Sequence, residues 1–193
     1  MTPLLVLHRL GDERGGAEWR EALTNEGWPG PWSAPDQPGH ATAPWEADYY
    51  EAAHLVIAPL RHLHETEWGE RPVVVAVGEQ SAAAELLALG GRAAGIVLVD
   101  PPTGPWPDDA DEIQNAEYAW LRLLADDPES QAPAPYGRTD PRTRHGCTPR
   151  HDPAYAAQQR AAVSVPVLEL EAASPSELLA TVRAWWASEA DSP

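Results

Sequence analysis

Residues 73–91 read VVVAVGEQSAAAELLALGG. The β-branched run at 73–77 has the character of a buried strand, and the Ala- and Leu-rich segment at 81–89 has helical spacing. Only Gly78, Glu79 and Gln80 lie between them, so the chain passes from strand to helix through a tight turn. A second β-branched run at 95–99 follows the helix. Strand, helix and strand make a βαβ unit, which implies a parallel sheet.

Working outward, residues 4–8 form a short apolar run of the kind buried on both faces of a sheet. Residues 17–25 read as a helix burying Trp19, Ala22 and Leu23, with Gly27 just beyond as a stop signal. The next segment, 28–45, is so rich in proline that only an edge strand could use it. Tyr49, Ala53, Val56, Leu60 and Leu63 follow helical spacing, and Pro59 is expected to kink that helix or end it early. Residues 163–170 form a further strand. Ser174, Pro175 and Glu177 then combine an N-cap, a first-turn proline and a capping-box glutamate ahead of a closing helix with Leu178, Val182 and Trp185 on one face. Between 100 and 162 the alternation is interrupted. That stretch contains one helix, at about 109–125, and a Pro- and Arg-rich loop reaching to about 151.

The totals narrow the function. With 193 residues the chain has room for one sizeable core, and a net charge of -17 argues against nucleic acid or an anionic membrane surface as partner. All thirteen cationic residues are arginine, so Schiff-base chemistry on a lysine is excluded. The single Cys147 leaves no internal disulfide and no Cys-rich zinc site. No apolar run approaches the ~20 residues of a membrane helix and the opening lacks a signal-peptide core, so a cytoplasmic location is the expectation.

Five motifs in order give the chain a resemblance. LLVLHRLG at 4–11, APDQPGHATAP at 34–44, VVVAVGEQSAA at 73–83, IVLVDPP at 96–102 and VSVPVLELEA at 163–172 are together similar to the α/β-hydrolase fold. The resemblance implies a compact three-layer α/β domain spanning 1–193. Its sheet would be mostly parallel, with about five strands, and residues 101–162 would form a reduced cap. It also implies what a catalytic member should carry, and the residues depart from that pattern. Gln80 falls at the position of the nucleophile, with Ser81 one place late. Arg9 replaces the glycine expected after His8, ahead of Leu10, and no histidine follows His151 to act as base. Asp100 and Glu171 are the carboxylates near the site, with no histidine to orient.

The expectation is therefore a protein without a Ser-His-Asp triad, a non-hydrolytic small-molecule-binding or regulatory pseudoenzyme. The alternative is remodelled chemistry of lyase, cyclase or isomerase type, or a weak atypical hydrolase. Candidate ligand-binding residues are His8, Arg9, Leu10, Gln80, Ser81, Arg142 and Arg144. Arg138, Arg142, Arg144 and Arg150 cluster in an otherwise acidic chain, where they either pair with the protein's own carboxylates or form a cationic lid over a small anionic ligand. No cofactor or metal is implied. His62 and His64, two apart, diverge on a helix, and with Glu65 and Glu67 they read as a solvated helix end. The ligand cleft could take a protein instead of a small molecule, and the sequence does not identify such a partner.

Overall fold

The computed structural model describes residues 1–9, 12, 14–38, 40–43, 56–101, 158 and 160–190. Among these residues five strands form one parallel sheet: β1 (Leu4–Leu7), β2 (Trp32–Ser33), β3 (Val73–Val77), β4 (Gly95–Val99) and β5 (Val167–Leu170), in the order β2-β1-β3-β4-β5. The helices are α1 (Ala17–Glu26), α2 (Ile57–Glu65), α3 (Ser81–Leu89) and α4 (Pro175–Ala190). The expected helix at 109–125 and the loop after it lie outside the described residues.

Side chains alternate across a strand, and here both faces are apolar. Leu4, Val6, Val73, Val75, Val97 and Val99 pack with Trp19 and Leu23 of α1 and with Leu178, Leu179 and Val182 of α4. The opposite face, Leu5, Leu7, Val74, Ala76, Ile96 and Leu98, meets Ala83, Ala84, Leu87 and Ala88 of α3, with Val56, Ala58 and Leu63 beside them. Helices thus cover both faces of the sheet in three layers, as the sequence implies.

Local signals set the element ends. Gly27, at φ 67, stops α1 with its N–H donated to the Leu23 carbonyl at 3.1 Å. At α4, the Glu177 carboxylate accepts from the Ser174 N–H and hydroxyl at 3.0 and 2.7 Å, closing the capping box. Pro59 does not break α2. The helix begins at Ile57, so Pro59 lies in the first turn, where no intrahelical N–H is needed. The inward face of α2 runs through 58, 59, 62 and 63, which leaves Leu60 exposed rather than in the expected core. β5 starts at Val167, later than the expected 163, because Pro166 has no N–H to give the ladder; its carbonyl accepts from Ile96 at 3.0 Å.

Gly16 marks the tightest contact between α1 and the chain following β2. A Cβ there would stand 2.2 Å from the Ala34 carbonyl oxygen, a backbone atom that cannot swing aside. Gly16→Ala is therefore expected to destabilise the fold by about 1–3 kcal/mol, read as a lowered urea midpoint. An unchanged midpoint would show that the 34–36 backbone gives way freely.

Candidate ligand site at the strand-to-helix turn

In a parallel α/β sheet the strands' C-terminal ends lie on one edge, where ligand sites form. His8, Gly78 and Asp100 each follow directly on a strand, β1, β3 and β4, at that edge.

The turn after β3 differs in register from the sequence expectation. The left-handed residue is Gly78, at φ 63, whereas Gln80 has φ -66 and ψ -11, an ordinary right-handed conformation leading into α3. Glycine takes positive φ without a Cβ clash, so the sharp bend settles on it and leaves Gln80 unstrained. Gln80, expected at the nucleophile's position, therefore does not carry the positive φ of the turn. Gln80 is instead fully buried, and neither amide atom has a hydrogen-bonding partner among the described residues. Ser81 is also buried, and its hydroxyl donates to the Gly78 carbonyl at 2.6 Å.

Arg9 lies over this turn. Its Cγ, Nε and Cζ stand 3.5, 3.7 and 3.8 Å from where a Cβ on Gly78 would be. Its Nη2 donates to Asp100 Oδ2 at 3.0 Å, so the side chain spans from the end of β1 past β3 to the end of β4. Asp100 holds a left-handed backbone, φ 47, and its Oδ1 accepts from the Ala172 N–H at 2.9 Å. One carboxylate thus ties the end of β4 to Arg9 and to the chain leaving β5.

His8 fixes Arg9 from below. Its Nε2 accepts from the Gln37 backbone N–H at 3.0 Å, which leaves the proton on Nδ1, donated to the Arg9 carbonyl at 2.9 Å. Both ring nitrogens are engaged, so His8 positions the turn. His40 stacks edge-on against it with centroids 5.0 Å apart, and its Nδ1 lies 3.1 Å from the Pro38 carbonyl oxygen. Asp36 braces the same loop by accepting from Gly16 N–H, Arg20 and Thr42. Burial opposes its ionisation, but these donors outweigh burial and hold the carboxyl below its ordinary value.

Glu171 is exposed just past β5. Leu10, Arg142 and Arg144 lie outside the described residues. His62 is not simply solvated as expected: it is half-buried, with Nε2 2.7 Å from Ser33 Oγ, whereas His64 is exposed. Sequence reading missed a buried charge on α3, where Glu85 pairs with Arg160, which also reaches Glu169 of β5. A lone glutamate inside SAAAELLAL was the available signal, since a buried carboxylate requires a partner.

The sequence matches no family model and no curated protein. Solved structures match in shape. A hydrolase from Oleispira antarctica superposes with TM-score 0.65 at 18% identity, over 88% of this chain and 72% of that one. An ancestral haloalkane dehalogenase gives 0.61 at 15% identity, over 97% and 91% of the two chains. An esterase from Rhodococcus sp. gives 0.57 at 19%, over 88% and 72%. The protein has the α/β-hydrolase fold.

Burial, and then the neighbouring His8, push His40 down to about 4 from 6.5; burial also lowers His8. A histidine depressed in the folded state binds its proton more readily when unfolded. Its contribution is complete above pH 6.5 and is lost as pH falls toward about 4. Urea midpoints measured from pH 7 to 4 should drop across that window, and His40→Gln should flatten the slope. An equal slope in the variant would place the acid sensitivity elsewhere.

Proposed function

We propose that the protein is a non-hydrolytic member of this fold, a small-molecule-binding or regulatory pseudoenzyme whose ligand sits at the C-terminal edge of the sheet. Its ligand carries an anionic group held by Arg9. The observation that carries this reading is the Arg9 side chain lying across Gly78. Hydrolysis on this scaffold needs a nucleophile presented at the strand-to-helix turn. The turn residue here has no side chain, an arginine covers it, and the nearest hydroxyl, on Ser81, is spent on the Gly78 carbonyl.

Arg9 supports the anionic half of the proposal. The ion pair with Asp100 is half-exposed on both sides, and such bridges contribute about 0–1 kcal/mol. Exchanging Asp100 for a ligand anion, or adding the anion to the remaining guanidinium donors, therefore costs little, and a two-point contact to a carboxylate or phosphate would outweigh it.

The test has two arms. A fluorophosphonate probe should leave Ser81 unlabelled, and Gln80→Ser should remain inert because no histidine follows β5 to activate the new hydroxyl. Ester hydrolysis abolished by Ser81→Ala would overturn the reading. Tryptophan fluorescence titrations with matched anionic and neutral metabolites at two salt concentrations should show tighter, salt-sensitive binding of the anions, an advantage lost in Arg9→Glu. A variant that binds as before would remove Arg9 from the site.

A further inference from the structure

The turn that Arg9 covers contains more polar chemistry than an anion would use. Gln80 is fully buried, yet its Oε1 and Nε2 both lack partners among the described residues, as does the adjacent Glu79 Oε2. Buried polar atoms in folded proteins are almost always paired, because burying one unpaired carries the whole loss of its hydration. Three such atoms on two consecutive residues, at the ligand-binding edge of an α/β sheet, are a concentrated exception.

From these atoms we infer that the site recognises a neutral cyclic amide edge, a ring N–H beside a ring carbonyl as in a lactam, cyclic imide or pyrimidinone, paired with the Gln80 carboxamide. The inference rests on the ligand-binding reading above and names the part of the ligand that Arg9 does not hold. A primary carboxamide presents one acceptor and one donor side by side in a plane. Its complement is the same pair reversed, with the ligand N–H donated to Oε1 and the ligand carbonyl accepting from Nε2. A carboxylate would satisfy Nε2 and set its second oxygen against Oε1. An ammonium would satisfy Oε1 and repel Nε2. The anionic group therefore belongs at Arg9, and the neutral donor-acceptor edge at Gln80.

The experiment compares 2-pyridone, succinimide and uracil with their N-methyl derivatives, which keep the carbonyl and lose the donor. Binding is followed on the 15N-labelled full chain through the Gln80 side-chain amide signal, assigned by its loss in Gln80→Leu. The parent compounds should shift that signal and bind about tenfold more tightly than the N-methyl forms, the worth of one buried hydrogen bond. Gln80→Leu should lose that preference. Gln80→Met, similar in length and uncharged, should also lose it, because its thioether has no donor. N-methyl compounds that bind equally well, a preference that survives in both variants, or no response from the amide to any of these compounds would overturn the inference and leave Gln80 to structural water. Failure here leaves the anion titrations with Arg9→Glu standing, whereas loss of those titrations with the N–H preference intact would remove the anion and keep the amide edge.

Discussion

Everything at the C-terminal edge depends on the three central strands being inaccessible on both faces. Every residue of β1, β3 and β4 is buried, and their alternating side chains are divided between two helical layers. A strand of this kind has no free surface along its length for chemistry. Polar groups can enter only where the strands stop, and they do so at once: His8 after β1, Gly78 with Glu79 and Gln80 after β3, Asp100 after β4. The hydrogen bonds made there are largely between strand ends. His8 holds the carbonyl of Arg9, Arg9 reaches Asp100, and Asp100 holds Ala172.

The fold was legible in the sequence because its strongest signals are local and repeated. Runs such as VVVAV and GIVLV are too β-branched and too continuous for surface helices, and the helix between them fixes parallel pairing. The ends were less legible. Pro59 reads as a breaker until the helix start is known, and Pro166 shortens β5 only because of where the ladder falls. Leu60 was misplaced because a face cannot be assigned before the helix has a beginning.

The site was half legible, for a different reason. Sequence order identifies which residues crowd the turn, and Arg9, Gln80, Ser81 and Asp100 all lie at or beside it. Backbone dihedrals are not written in that order. The pattern Gly-Glu-Gln-Ser permits the bend at more than one residue, and it settles on Gly78, where positive φ is free. The partner of Asp100 and the cradle around His8 involve residues far apart in sequence, joined only through the sheet. No spacing rule connects Arg9 with Asp100 or His8 with Gln37.

The Arg160 pairs bear on how this chain can change over evolutionary time. Arg160 is held by Glu85 and Glu169, and Asp100 donates its N–H to the Leu170 carbonyl at 2.9 Å. The chain is thus fastened to β5 before residue 102 and again by residue 160. Each extra residue between two fixed posts adds only a slowly growing closure entropy. Insertions and deletions between the posts can accumulate without shifting the register of any strand, so the sequence between residues 102 and 159 can diverge while the sheet stays the same.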